Sequence, residues 1–251
     1  MSGLKVESSS QPIYEKKSII VEPETKAQIN IGAALRMVHN NLNNGMKAGV
    51  GGEIGVEKNF NLGEKSYLNT GADLGVYSNA LQAKMEMNWK QKKQNFTPVL
   101  GAEVQYTTGP KQKITHGFSV DGNVAQNLIK YSEQHFDVNG KLGIEARTNN
   151  QKFTFGSGLK LGYTVADDGF MSKLKINQQL KESYTDEFGN VSEIVTNKEY
   201  VDIYGYKPYK GLNAGVYADA ELKLNKGLSL KAAGEYSNSN KAATLGVKYT
   251  F

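Results

Sequence analysis

Alternation of apolar and polar residues runs through most of this 251-residue chain and reaches its last residue. The final nine residues place Ala243, Leu245, Val247, Tyr249 and Phe251 at every second position, with Thr, Gly and Lys between them. Successive side chains of a β-strand point to opposite faces, so this segment predicts a strand with one apolar and one polar stripe. The same period recurs along the chain, which indicates an all-β fold.

The alternation predicts about twelve strands separated by turn residues, each roughly 10–14 residues long. Residues 191–204 alternate poorly, and ten strands is the alternative count. Residues 108–133 break the rhythm and are expected to form a long loop with a short helix near 122–131. The strands are expected at about 26–39, 46–60, 66–78, 81–90, 96–107, 134–148, 152–166, 172–184, 191–204, 211–225, 228–237 and 243–251.

Composition limits the possible classes of protein. The mean hydropathy is −0.51, and no apolar run is long enough for a transmembrane helix. A membrane β-barrel remains possible, because its polar lumen face lowers the mean hydropathy. The net charge of +5 comes from scattered Lys and Arg residues and does not favour nucleic acid as a partner. The absence of cysteine means that no disulfide is used.

The end of the chain resembles the C-terminal signature strand of bacterial outer-membrane β-barrels, with Gly246, Tyr249 and Phe251 in matching places. At the level of class, this porin-like resemblance implies an antiparallel up-and-down transmembrane β-barrel over residues 26–251. It also implies location in the bacterial cell outer membrane, contact with outer-membrane lipid and lipopolysaccharide, and recognition of the last strand by the barrel-assembly machinery.

The first 25 residues carry no apolar core of the kind that a secretory signal needs. We expect residues 1–25 to be a polar, disordered, periplasmic segment. An exported barrel needs a signal, so we expect that it was removed or replaced, or that the start is wrongly assigned.

An even number of strands puts both chain ends on one side, the periplasm in this interpretation. Short turns near 61–65, 93–95, 149–151, 186–190 and 225–227 then share that side, and the 108–133 loop lies outside. Aromatic residues of the apolar phase gather at predicted strand ends, as in the interfacial belts of membrane proteins. Phe60, Trp89, Phe96, Phe153, Phe155, Tyr249 and Phe251 fall at the periplasmic ends, and Tyr106, Phe136, Tyr163 and Tyr236 at the outer ends.

The polar stripes carry both signs of charge and are expected to line the lumen. Charges inside a narrow barrel need partners, so the mixture predicts a salt-bridged interior with at most a narrow aqueous path. Inward glycines either leave room for solute or relieve strand curvature, and both interpretations stay open. The pore-lining candidates are Arg36, Glu53, Asp73, Lys84, Glu86, Glu103, Lys141, Glu145, Lys160, Lys175, Asp219, Glu221 and Lys231.

Little in the sequence points to catalysis, a metal or a cofactor. None of the three histidines, His39, His116 and His135, has a serine two residues later, the spacing that would put both on one strand face. Tyrosines between 200 and 209 form either an outer recognition surface or a strand-end girdle.

The leading hypothesis is therefore a narrow porin-like channel for passive diffusion of small polar solutes. The alternative is a non-conducting structural or adhesion barrel that acts through its extracellular loops. An enzyme is the least favoured.

Overall fold

Ten antiparallel strands close into a barrel, in the order β1-β14-β13-β12-β9-β8-β5-β4-β3-β2. This computed structural model describes residues 25–40, 42, 45–92, 95–148, 150–225 and 227–251, so the expectation for residues 1–24 lies outside the described residues. The strands are β1 Gln28–Asn40, β2 Gly45–Asn61, β3 Ser66–Tyr77, β4 Leu81–Gln91, β5 Phe96–Thr108, β6 Gln112–Val120, β7 Asn123–Tyr131, β8 Gln134–Arg147, β9 Phe153–Ala166, β10 Phe170–Thr185, β11 Val191–Tyr206, β12 Gly211–Lys223, β13 Leu228–Ser237 and β14 Lys241–Thr250.

The remaining four strands form two hairpins outside the barrel, β6–β7 and β10–β11. The all-β prediction and the alternative count of ten are thus confirmed, whereas twelve barrel strands is wrong. Strands predicted at 172–184 and 191–204 exist, but they pair only with each other. The helix predicted near 122–131 is wrong as well, because Asn123–Tyr131 is a strand paired with β6.

The register sets the tilt of the barrel strands. Following paired residues once around the barrel returns to β1 about 14 residues from the starting position, which corresponds to a strand tilt of about 45°. At that tilt, ten residues of strand span roughly 25 Å along the barrel axis, the height of the apolar band on a membrane barrel.

The barrel is apolar outside and polar inside, the reverse of a water-soluble domain. Outward side chains such as Val50, Leu100 and Leu161 are largely exposed, at 68%, 59% and 67%. The buried side chains are mostly polar or charged. The predicted phase of every barrel strand is therefore confirmed, with its apolar stripe outside and its hydrophilic stripe facing the lumen. Among the described residues, no helix is long and apolar enough to cross a bilayer.

The two ends of the barrel differ. One end holds the start of β1, the end of β14 and the short connections β2–β3, β4–β5, β8–β9 and β12–β13, and we call it the turn end. The other end, which we call the hairpin end, carries both hairpins, since β6–β7 joins β5 to β8 and β10–β11 joins β9 to β12. The turn at 186–190 was predicted on the turn-end side, but it is the tip of β10–β11 on the opposite side.

Candidate functional site

A cavity of about 820 Å³ occupies the lumen. Its mouth lies at the turn end, where Gln28, Asn225 and Phe251 line it, and it reaches inward to the level of Arg36 and Gln105. Twelve of the thirteen predicted pore-lining residues line this cavity: Arg36, Glu53, Asp73, Lys84, Glu86, Glu103, Lys141, Glu145, Lys160, Asp219, Glu221 and Lys231.

The thirteenth residue, Lys175, was wrongly placed in the lumen. It lies on β10 of the outer hairpin, where its ammonium group is 2.7 Å from the carboxylate of Glu199 and both side chains are half exposed. The error has the same cause as the strand count, because the amphipathic pattern of a hairpin strand resembles that of a barrel strand.

A charge network crosses the middle of the lumen. Lys160 on β9 lies 2.6 Å from Glu103 on β5 and 3.0 Å from Glu235 on β13. Lys141 on β8 is 3.0 Å from Glu86 and 3.6 Å from Glu103, so Glu103 bridges the two lysines. Each charge in this network thus has at least one partner of opposite sign on another strand, which offsets the cost of removing it from bulk water.

Further ion pairs lie closer to the turn end. Lys90 on β4 is 2.7 Å from Glu145 on β8, and Arg147 contacts the same carboxylate. Lys248 on β14 pairs with Glu221 on β12 at 3.1 Å. The salt-bridged interior expected from the sequence is therefore what these strands form.

Glycines let one tyrosine lie flat on the lumen wall. The Tyr217 ring covers Gly143 and Gly158, and a Cβ on Gly158 would lie 2.8 Å from Tyr217 Cε1 and 2.4 Å from the Leu142 carbonyl oxygen. The ammonium groups of Lys141 and Lys160 lie 4.7 and 5.9 Å from the centre of that ring. The space left by these two glycines is thus filled by Tyr217, not by solute.

At the hairpin end, buried polar side chains from five of the barrel strands pack together in the lumen. Gln105, Asn139, Asn213, Thr164, Asp137 and Ser237 form a polar layer there, and each is at most 2% exposed. The turn between β13 and β14 folds over this layer, with the Ser239 amide 3.4 Å from the Asn213 side-chain oxygen. Next to the layer, a cavity of about 10 Å³ is lined by His135 and Asn240, room for about one water molecule.

The two outer hairpins pack against each other through polar and aromatic contacts. The Tyr131 hydroxyl on β7 donates to the Asp167 carboxylate at 2.7 Å, and its ring lies 5.2 Å from that of Phe170. Burial, helped by the hydrogen bond to Asp167, raises the pKa of the Tyr131 phenol. Tyr206 donates to Glu133 at 2.8 Å, so the bases of both hairpins are tied to the barrel rim.

Deeper in this interface, His116 joins three strands. Its Nδ1 is 2.9 Å from Ser172 Oγ on β10, and its Nε2 is 2.9 Å from Asp202 on β11. Sequence reasoning missed this cluster, because a search for residues on one strand face cannot find partners 56 and 86 positions apart. The tyrosines at 200–209 are divided between this interface and the loop after β11, since Tyr204 and Tyr206 contact Phe170 whereas Tyr209 follows the strand.

The far half of β10–β11 projects beyond the shorter hairpin. The Gln178 amide donates to Asp121 at the β6–β7 tip at 2.8 Å, and every residue from Lys181 to Glu199 is exposed. Apolar side chains there include Phe188, which is 83% exposed. Residues 182–197 hold four acidic side chains and no basic one. Hydrogen bonds from Asn190 hold the pKa of Asp186 below its usual range and order the tip.

No protein-family model matches the chain, and no curated protein matches it either. Among solved structures, the β domain of the Bordetella autotransporter BrkA is 11% identical over 90% of this chain and 99% of its own, with a TM-score of 0.32. The Yersinia pestis outer-membrane protein Ail is 15% identical over 91% of this chain and 100% of its own, with a TM-score of 0.36. The translocator domain of NalP from Neisseria meningitidis is 10% identical over 92% and 91%, with a TM-score of 0.33.

These low scores carry no argument about this chain, so its class rests on its own geometry. A closed antiparallel barrel with an exposed apolar exterior, two aromatic girdles and a charged lumen has the fold of bacterial outer-membrane β-barrels.

Proposed function

We propose that the protein is a non-conducting barrel of the bacterial outer membrane that acts through the hairpin pair it presents outside the cell. The observation that carries this proposal is the polar layer at the hairpin end, from Gln105 to Ser237, in which each of the six side chains is at most 2% exposed. A solute that enters the 820 Å³ cavity from the turn end meets this layer.

The exterior supports membrane location. Exposed Ile, Leu, Val, Met and Phe side chains cover the outside of all ten barrel strands, an apolar surface far larger than a water-soluble monomer leaves uncovered. Aromatic residues border this surface, with Phe96 and Phe251 at the turn end and Phe136 and Tyr163 at the hairpin end.

The projecting half of β10–β11 is the contacting element in this proposal. A two-stranded hairpin is marginally stable alone in water. The projecting half of β10–β11 leaves both of its strand edges and both of its faces uncovered. Its four carboxylates repel the anionic surface of an outer leaflet, so the tip is suited to a protein partner with a basic surface. Phe188, Val191 and Ile194 supply apolar contact area.

Conductance in planar bilayers tests the proposal. The unaltered protein is expected to stay silent at high protein load. A triple variant, Gln105→Ala with Asn139→Ala and Asn213→Ala, removes three side chains from the polar layer and is expected to open steady currents. It therefore serves as the positive control, and steady open currents from the unaltered protein would overturn the non-conducting assignment.

The cavity itself favours a second candidate, a narrow path for passive diffusion of small polar solutes. It is lined by paired Lys, Arg, Asp and Glu side chains, and it already spans the turn-end part of the barrel. Passage would require the polar layer to move. Under this candidate the unaltered protein conducts, and Lys84→Glu shifts its ion selectivity because Lys84 lines the cavity.

A further inference from the structure

Four side chains form a continuous hydrogen-bonded chain across both hairpins. Asn127 on β7 lies 3.3 Å from Ser172 Oγ, which lies 2.9 Å from His116 Nδ1. The other ring nitrogen of His116 lies 2.9 Å from Asp202. Ser172 and His116 are only 4% and 6% exposed, so their polar atoms depend on these partners.

The chemistry of the ends fixes the direction of the chain. The Asp202 carboxylate only accepts, so an imidazole that carries one proton holds it on Nε2 and donates it to Asp202. Nδ1 then accepts from the Ser172 hydroxyl, and Ser172 Oγ accepts from the Asn127 amide. Each group is used in one role only, and all four hairpin strands contribute one member.

A serine, a histidine and an aspartate in these roles form the hydrogen-bonded set of a serine hydrolase. Here, however, the histidine belongs to β6–β7, and the serine and aspartate belong to β10–β11. The set is assembled only when the hairpins are packed together, and in that state the serine is 4% exposed. Separation of the hairpins would expose Ser172 but would withdraw its base. His116 can therefore activate the Ser172 hydroxyl only when the hairpins are packed together, and in that state the hydroxyl is too buried for a substrate to reach.

We propose that Asn127, Ser172, His116 and Asp202 form a latch that holds the two hairpins as one rigid body. This inference rests on the proposed function, because the latch sets the direction in which the projecting half of β10–β11 points. The Asp202 side chain is 49% exposed, but loss of a link to Ser172 or His116 leaves a buried polar group unpaired, and the packed state then loses stability relative to the separated one. The Tyr204 ring, 5.5 Å from that of His116, packs beside the latch from β11.

Hydrogen exchange on the full-length protein in detergent micelles tests the latch. Ser172→Ala and His116→Ala should each speed amide exchange in β6–β7 by about tenfold or more, while exchange in the barrel strands stays unchanged. Lys175→Gln is the matched control, because it removes an exposed ion pair from the same strand and should change nothing in β6–β7. Unchanged exchange in both latch variants would overturn the proposal.

A double variant separates the latch from simple loss of packing. Since His116 and Asp202 act in one chain, His116→Ala with Asp202→Ala should speed exchange no more than His116→Ala alone. Additive acceleration would contradict the chain. Neither measurement needs a binding partner or a current, so failure of the latch and failure of the proposed function are distinguishable.

Labelling with a fluorophosphonate probe tests the competing enzymatic interpretation. The probe reacts with base-activated serines, and intact-mass measurement of the unaltered protein is expected to show no adduct because Ser172 is buried. An adduct on Ser172 that disappears in His116→Ala would overturn the latch and assign a hydrolase instead.

Discussion

At the scale of single residues, the charged side chains in the lumen stabilise one another. Glu103 is 2% exposed and lies within 3.6 Å of both Lys141 and Lys160. Charges with this little water around them are stable only as a set, because the desolvation cost of each is offset by its neighbours. The destabilisation caused by removing one charged side chain therefore depends on how many oppositely charged partners lose their counter-charge.

Lys160→Met is expected to destabilise the barrel by about 3–5 kcal/mol, because it leaves Glu103 and Glu235 close together without their shared cation. Lys248→Met is the matched control, since Lys248 has one carboxylate partner and is more exposed. Its expected cost is about 1 kcal/mol. Urea unfolding in micelles measures both values, and equal costs would contradict the network.

Gly158→Ala is expected to cost about 1–3 kcal/mol, because the new methyl group would lie 2.4 Å from the Leu142 carbonyl oxygen and would displace Tyr217. Gly140→Ala on the neighbouring strand is the control. Its nearest atom would be 3.6 Å away, an ordinary contact, so its stability should stay within about 0.5 kcal/mol of the unaltered protein. The same urea midpoints decide the comparison.

At the scale of elements, the sequence predicted every barrel strand and the face that each one exposes. This succeeded because the lipid-facing stripe imposes a strict period of two over ten or more residues, as in β4, where Leu81 to Trp89 alternate with Gln82 to Lys90. The strand ends were predicted as well, since aromatic residues and turn residues mark them.

The hairpins were assigned wrongly because alternation shows that a strand exists, not which sheet it joins. A usable signal was present in β11, where Glu199 and Val201 share one face and Lys198 and Asp202 share the other. Charges on both faces do not fit a strand that must expose one face to lipid.

The β6–β7 hairpin carried a turn signal that the helix prediction overlooked. Asp121 and Gly122 both adopt positive φ, at 45° and 83°, as a two-residue type I′ turn requires. An Asp-Gly pair between alternating segments is the strongest local sign of a hairpin, here between Ile114–Val120 and Asn123–Ile129.

Leu161→Arg tests whether the outer face of the barrel meets lipid. Leu161 is 67% exposed near mid-barrel, so in a bilayer an arginine there should cost about 2–4 kcal/mol. Val124→Arg is the control, because Val124 is 71% exposed on a hairpin outside the barrel and should cost close to nothing. Unfolding in lipid vesicles measures both, and a neutral Leu161→Arg would contradict the lipid-facing assignment.

At the scale of the whole molecule, the two ends of the lumen differ: the cavity opens at the turn end, and buried polar side chains pack together at the hairpin end. The sequence predicted the charged wall of the cavity, because inward phase follows from alternation alone. It did not predict the polar layer, which depends on the axial level at which Asn139, Thr164 and Asn213 meet across three strands. Those levels follow from the register around the whole barrel, and no single segment encodes them.

The last strand, β14, closes the barrel by pairing with β1. A variant of the final residue, Phe251, distinguishes the folding of the barrel from its assembly in cells. The Phe251 amide donates to the Ile29 carbonyl at 3.0 Å, whereas its ring is 70% exposed and touches Tyr249 at 4.8 Å. Phe251→Ala keeps the backbone bond, so refolding in detergent should be nearly unchanged. If the assembly machinery reads this ring, as the C-terminal resemblance implies, the yield of barrel assembled in cells should fall several-fold.

Phe96→Ala provides the comparison, because Phe96 is an exposed aromatic at the same end of the barrel but far from the last strand. It should leave both refolding and assembly in cells close to those of the unaltered protein. Heat-modifiable migration on gels reports the folded fraction in each case. An equal loss of assembly in both variants would contradict specific recognition of the Phe251 ring. Phe251 would then act at the bilayer interface, like the other aromatic residues at this end of the barrel.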